Sequence, residues 1–382
     1  MRNEYRYVSV SLLIRQAREK RLKFREPSPR IVAAVGAGVT FAVIGLLLWP
    51  QPPMIADTAT GDPALIEQVR NGLQFEPGPH HHLSVAVLEG DELSVANFGT
   101  TGDTEFEVGS VTKTFTAALF AEAIARGEVK PDTRLGELLD LGDAPAASVT
   151  LQQLATHTSG LPGVPETPQV LLRTLLMQFT ANDPYTFDLP ALLEQARGAQ
   201  LSGDPTVGYS NFGFSLLGQA LAKAAGTDYP TLVTERIIRP LGLRSTYAPA
   251  SVSDLRASAP TGYTASGRPS DAWTLDAYAP AGSIRSTLTD LISYARAQLD
   301  ETAPGVDATK PRLDAGGLGE IGWAWFTTEG ITWHNGMTGG FASYLAFDRE
   351  ADRAVVILSD TAVSVDLLGF TLMGIDVTGG AR

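Results

Sequence analysis

At 382 residues, 44% of them hydrophobic and 19% charged, the chain can bury a large core, as one big domain or two interleaved ones. The net charge of −13 is unevenly divided: residues 1–30 carry nine Lys or Arg against three Glu, and the remainder carries 20 basic against 39 acidic residues, so the acidic body argues against nucleic acid as a partner. The absence of cysteine removes a thiol nucleophile, a thiolate metal site and disulfides together.

Beyond the basic segment 1–30, residues 31–49 are apolar throughout except for Thr40. As a helix this stretch would span about 28 Å, close to the hydrocarbon thickness of a bilayer. The basic flank is N-terminal, and no Lys or Arg follows until Arg70. The positive-inside rule then keeps the N-terminus in the cytoplasm and exports the body, giving a single-pass protein of the cell membrane with the lipid bilayer as a partner. A cleaved signal peptide is the rival reading, but the basic lead is long for one and no small-x-small site follows. Residues 50–61 are Pro-rich, then polar, and read as a linker. The body is expected over 62–376.

Asp62-Pro63 opens a short amphipathic helix with Leu65, Ile66, Val69 and Leu73 on one face. His80, His81 and His82 lead into a hairpin of strands 83–88 and 93–98. Three adjacent histidines suggest metal, yet consecutive residues of an extended chain point to alternate sides, so the expectation is a polar lead-in and no metal. A β-prone run, 104–108, precedes a helix over 115–126 that stops at Gly127. Residues 128–281 carry helical patterns at 151–155, 170–179, 189–197, 212–225 and 229–238, heavily punctuated by Pro and Gly. Residues 288–299 read as a helix, the runs 321–327, 331–334, 341–347 and 354–358 as strands, and 363–373 as a closing helix. Strands and helices at both ends with helices between predict one unit built from 62–127 and 282–376, with a mostly helical part, 128–281, inserted.

Three stretches carry chemistry. In Gly109-Ser110-Val111-Thr112-Lys113, the glycine allows a tight turn, Ser110 sits near a helix N-terminus, and Lys113 falls on the same face three residues on. A hydroxyl beside an amine over a positive helix end is a plausible activated nucleophile, although Ser-x-x-Lys arises roughly once per chain of this length by chance. Tyr209-Ser210-Asn211 pairs a phenol that can relay a proton with an amide that can donate and accept, and it also reads as a loop capping the next helix. Trp333-His334-Asn335-Gly336-Met337-Thr338-Gly339-Gly340 lies between two predicted strands, and its glycines let a ligand or another backbone approach.

In this order and setting the three stretches resemble the signature of the serine β-lactamase and penicillin-binding-protein superfamily: Ser-x-x-Lys, a Ser or Tyr motif, then a Lys-Thr-Gly equivalent. The similarity is greatest to the branch with Tyr-x-Asn second and His-x-Gly third, which holds Streptomyces-type D-Ala-D-Ala carboxypeptidases, class C-like β-lactamase relatives and family VIII esterases. The stretches Leu154-Ala155-Thr156-His157-Thr158-Ser159-Gly160-Leu161 and Ala281-Gly282-Ser283-Ile284-Arg285-Ser286-Thr287 strengthen it. The resemblance implies an α+β fold, an antiparallel sheet flanked by helices with the helical subdomain inserted.

It also implies an acyl-enzyme on Ser110, with Lys113 as base, Tyr209 as proton carrier and Asn211 holding the substrate amide or orienting Lys113. His334 stands where many relatives have Lys. The backbone N–H groups of Ser110 and Met337 would form an oxyanion hole, and Asn335 and Gly336 would lie along the substrate; no metal or organic cofactor is needed. His157 is implied in loop architecture only. The substrate would be a small acyl compound: a D-amino-acid peptide or carboxylic ester, with a β-lactamase or a non-enzymatic penicillin-binding sensor as alternatives. Streptomyces-type carboxypeptidases place an Arg shortly before the third motif to receive a terminal carboxylate, whereas this chain has no Lys or Arg between Arg312 and Arg349. Asn335 also replaces the more usual Thr. Trp323, Trp325 and Trp333 stand in that region, either as sheet packing or as an apolar pocket for esters, and Arg285 is the candidate for the missing charge.

Overall fold

A computed structural model describes residues 52–76, 78–204 and 206–375, Gln178 by its backbone alone. Among these residues no helix is long and apolar enough to cross a membrane. The span expected over 31–49 and the basic segment before it lie outside the described residues.

The frame is a nine-stranded antiparallel sheet ordered β1-β3-β2-β11-β10-β9-β8-β7-β6. Its N-terminal strands are β1 (Ala59–Gly61), β2 (Leu83–Glu89) and β3 (Glu92–Phe98). A separate pair consists of β4 (Glu105–Glu107) and β5 (Arg285–Thr287). The C-terminal strands are β6 (Leu313–Asp314), β7 (Glu320–Ile321), β8 (Phe326–Thr328), β9 (Ile331–Met337), β10 (Ala342–Asp348) and β11 (Arg353–Ser359). The two chain ends meet where β11 pairs with β2, Val355 opposite Val87. These central strands are nearly continuous runs of Val, Ile, Leu and Ala, because both sheet faces are covered.

One face is covered by α1 (Pro63–Gly72), through Leu65 and Val69, which pack in one apolar cluster with Val85, Ile357 and Leu368. On the other face lies α2 (Thr112–Ala125), buried nearly all round and therefore apolar on every side rather than amphipathic. Against it pack α5 (Asn211–Ala225) and, through Tyr294 stacked on Phe115, α6 (Leu288–Leu299), while α3 (Pro168–Thr180) and α4 (Leu189–Gly198) join the same apolar cluster through Val170, Leu192 and Ala196. The closing helix, α7 (Asp366–Leu372), returns to the α1 face.

Several sequence expectations shift. The run 321–327 is not one strand: Ile321 pairs with Phe326 across a turn in which Ala324 takes φ +65° and Gly322 N–H donates to Trp325 O at 2.8 Å. Its apolar content concealed the turn, since Trp323 and Trp325 leave the strand to enter the core. The end of the stretch read as linker, Ala59–Gly61, is an edge strand on β3; its polar composition suits an edge. The helix expected over 115–126 begins at Thr112, and the closing helix is shorter than 363–373.

The small sheet is held by charge. Fully buried Arg285 donates from Nε to Glu105 at 2.5 Å, from Nη1 to Glu107 at 2.7 Å and from Nη2 to Pro260 O at 3.2 Å. Burial pushes the Glu107 carboxyl up to about 7, a shift that Arg285 partly offsets. Arg285→Ala would strand two buried carboxylates, and a stability loss of about 3–5 kcal/mol is expected in denaturant unfolding. A loss below about 1 kcal/mol would show that the cluster does not support the fold.

Candidate active site

Ser110 lies in the tight turn Gly109–Val111 that runs directly into α2. Gly109 sits at φ +50°, and a Cβ there would come within 2.6 Å of Met337 N. A Cβ at Gly336 would fall 2.0 Å from Val108 O and 3.0 Å from Ser110 N. Both glycines are therefore required for β9 to seat against the nucleophile turn, and that seating brings the Ser110 and Met337 amides to the edge of one cleft. Ser343 fixes the contact from β10, its hydroxyl donating to Val108 O at 2.7 Å.

Lys113, one helical turn on, is fully buried. Its Nζ lies 2.9 Å from Ser110 Oγ, 2.7 Å from Asn211 Oδ1 and 2.7 Å from Ala281 O. Tyr209 and Phe214 present their rings 5.0 and 5.8 Å away. Desolvation holds the amine well below the ordinary lysine range. An amine in its neutral form has two N–H donors and one lone pair. That count matches donation to Asn211 and Ala281 with acceptance of the Ser110 proton.

Asn211 opens α5, and Ser210 caps it: the Ser210 hydroxyl accepts from Gly213 N at 2.9 Å and donates to Pro162 O at 2.7 Å. The loop bearing Tyr209 is held by His157, whose Nδ1 accepts from Ser210 N at 3.0 Å and whose carbonyl accepts from Gly208 N at 2.8 Å. The His157 ring also packs 4.4 Å from that of Tyr209. Tyr209 is 41% exposed as a residue, yet burial around its hydroxyl raises the phenol above its usual range, a shift that the nearby Ser110 partly offsets.

His334 lies on β9 on the face turned to α2, fully buried, with its ring 6.3 Å from that of Tyr209. Desolvation first, and the nearby Lys113 charge second, lower it to about 3, so the imidazole is neutral at working pH. Its Nδ1–H donates to Asn335 O at 2.6 Å, which leaves the buried Nε2 with its lone pair unshared.

Ser110, Lys113, Tyr209, Asn211 and His334 thus come together, with the Met337 backbone and Gly336 at the cleft edge. The Asn335 side chain is not among them. Alternation along β9 turns it to the opposite face, where it donates to Asp366 at 2.7 Å. The tryptophans do not form an acyl pocket: Trp333 packs with Tyr344 and Phe370, Trp325 with Phe347, and Trp323 with Phe120 and Arg312. Arg285 is consumed by its two glutamates. A small cavity beside Ser110 is instead lined by Tyr185, Trp273, Leu275, Tyr278 and Met337, and no Lys or Arg borders it. These aromatic residues come from loops with no periodic signal, so their convergence cannot be read from the chain. A wider groove, also bordered by Tyr209, runs along Gly160, Leu161, Gln200, Ser202 and Asp204.

The histidine run also departs from expectation. His81 and His82 do not alternate; they precede β2, and their rings stand 3.7 Å apart, both turned to Asp360.

A family model described as Beta-lactamase matches residues 75–371. The chain belongs to the beta-lactamase family. Over 304 residues it is 27% identical to Penicillin-binding protein 4 of Amycolatopsis lactamdurans, covering 71% of this chain and 75% of that protein. Over 183 residues it is 30% identical to the D-alanyl-D-alanine-carboxypeptidase/endopeptidase AmpH of Escherichia coli (strain K12), covering 44% of this chain and under half, 46%, of AmpH. The fold is shared with a class C beta lactamase from Rhodobacter sphaeroides, at a TM-score of 0.68 and 21% identity over 82% of this chain and 99% of that one. It is likewise shared with the D-alanine carboxypeptidase AmpC from Burkholderia cenocepacia, at 0.67 and 23% over 81% and 97%. The protein is a serine hydrolase of this superfamily.

Because the Gly336 Cβ would strike the Val108 carbonyl, Gly336→Ala is expected to displace β9 from the nucleophile turn. A misplacement near 1 Å costs about 100-fold in kcat/KM. An unchanged kcat/KM on an activated ester would mean that this seating does not set the geometry.

Proposed function

We propose that this beta-lactamase family member is a membrane-anchored acyl hydrolase that works outside the cytoplasm through an acyl-enzyme on Ser110. The observation that carries the reading is the meeting of Ser110, Lys113 and Asn211 within 2.7–2.9 Å, although Lys113 and Asn211 are 98 residues apart in sequence. Lys113 takes the Ser110 proton as Oγ attacks the acyl carbon. Asn211 holds Lys113 in place, and Tyr209 returns the proton to the leaving group and later helps activate water. Neutral His334 keeps the Tyr209 side of the network free of a second positive charge. The Ser110 and Met337 N–H groups receive the oxyanion, each worth about 3 kcal/mol in the transition state.

The Ser110 cavity supports a neutral, partly aromatic acyl donor: its lining is Tyr185, Trp273, Leu275, Tyr278 and Met337, with no cation to receive a terminal carboxylate. Carboxylic esters are the first substrate class on that ground. D-amino-acid peptides are the second, favoured by relatives whose names are D-alanine carboxypeptidases. Full-length protein in detergent, offered p-nitrophenyl esters, a D-Ala-D-Ala peptide and a chromogenic cephalosporin, separates them. Fastest turnover of the esters is expected. Turnover of the peptide alone would reverse the order, and rapid cephalosporin hydrolysis would make the protein a β-lactamase. A stable cephalosporoyl adduct without any turnover would identify a sensor.

The anchor rests on the apolar segment 31–49 and its basic flank. It is supported by α3, which exposes Leu171, Leu172, Leu175, Leu176 and Phe179 along one side, a face suited to a lipid surface. Protease added to intact cells should digest the body. A protected body would place it on the cytoplasmic side instead.

A further inference from the structure

We propose that His81, His82 and Asp360 form a divalent-cation site, with zinc as the best-matched ion, that ties the start of β2 to the end of β11. His82 Nδ1 lies 2.9 Å and His81 Nδ1 3.2 Å from the same carboxylate oxygen, Asp360 Oδ2. The three candidate ligand atoms all lie within 4.8 Å of one another. A tetrahedral zinc with bonds of about 2.0–2.1 Å separates its ligand atoms by roughly 3.3 Å. The two nitrogen–oxygen separations differ from that edge by a few tenths of an ångström, and the third lies within 4.8 Å.

The rings of His81 and His82 stand 3.7 Å apart and both turn to the one carboxylate, an arrangement in which a single dication is within reach of all three side chains. Asp360 is already oriented from behind, its Oδ1 accepting from His82 N at 2.9 Å. Such support of a ligand by a neighbouring donor is what tightens metal sites. The carboxylate is mostly buried while the two imidazoles are about one-third exposed, so an ion would be reachable with a water at its fourth position. A set of two nitrogens and one oxygen, with no thiolate in the chain, suits zinc and excludes soft cuprous ion.

The site also touches the catalytic frame. Tyr263 stands edge-on to His81 at 5.2 Å, and its N–H donates both to Asp360 O at 2.8 Å and to Gly340 O at 3.0 Å. Gly340 belongs to the turn between β9 and β10, three residues beyond Met337. Ala56 N–H donates to His81 O at 2.9 Å, which links the chain leading out of 31–49 to the same point. An ion here would brace the turn that carries one oxyanion donor and the chain that arrives from the proposed anchor. It would act as a structural support, and the acyl chemistry does not use it.

The test is zinc binding by untagged, chelator-treated full-length protein in detergent, followed by calorimetric titration and metal analysis. The expected result is one zinc per chain and an unfolding midpoint that rises with zinc. His82→Ala and Asp360→Asn should each weaken binding by at least tenfold and abolish the rise, while Ser110→Ala retains both. Should Asp360→Asn fail to fold, His81→Ala, at a partly exposed position, gives the same reading. No saturable binding, or binding unchanged in the His81 and His82 variants, would reduce the cluster to a hydrogen-bonded clip and overturn the proposal.

Discussion

Ser110→Ala is expected to lower hydrolysis of any acyl substrate by about 10⁴-fold or more while leaving the fold intact. The side chain is half-buried, and its hydroxyl meets the amine of Lys113 at 2.9 Å. Removing it leaves Lys113 bonded to Asn211 and Ala281, so the loss of stability should be within about 1 kcal/mol. The rate loss is large because, in the proposed mechanism, the other four groups act through this oxygen: Lys113 and Tyr209 would move its proton, and the Ser110 and Met337 amides would receive charge that develops only after it attacks. Steady-state kinetics beside denaturant unfolding separates the two effects. An active Ser110→Ala protein would remove the nucleophile from this cleft altogether.

Lys113→Met should cost about 10³–10⁴-fold in acylation, by removing the base at nearly constant volume. The amine must be neutral to accept the Ser110 proton, and burial holds its pKa well below 10.5 in the folded chain. Acylation in the wild type should therefore rise with pH through that lowered value and level off well before 10.5. The same shift affects stability. Below the folded value, lysine is charged in both states and folding carries the full cost of burying it. Between that value and 10.5 the unfolded chain binds more protons, so stability rises with pH; above 10.5 the cost is gone. Lys113→Met should lack this rise, a difference readable from unfolding free energies measured at several pH values. A variant with the same slope as wild type would mean that Lys113 is not held neutral by burial.

Much of this could be read from the chain, for physical reasons that differ by element. The hairpin of β2 and β3, α1, and the helices α3 to α6 follow from apolar periodicity and from caps such as Asp62, Asp188 and Thr287. The Ser110, Tyr209 and His334 stretches announced themselves as motifs, and the fold brings them to one cleft. Alternation along β9 could have separated Asn335 from His334 in advance; the motif reading overrode it. Glu105 and Glu107 sit in the β-prone run 104–108, where nothing local shows that a cation comes from 180 residues away. Trp273, Tyr185 and Tyr278 were invisible for a related reason: loops converge through tertiary packing, which leaves no period. His81 and His82 share a side because the chain has not yet entered β2 there, so strand alternation does not apply to them.

The most direct test is peptide mapping by mass spectrometry after brief exposure of the full-length protein to a slowly hydrolysed penicillin or an activated ester. A single acyl adduct on Ser110, absent from Ser110→Ala, is the expected result. Modification of a different residue, or turnover with Ser110 unmodified and dispensable, would contradict it.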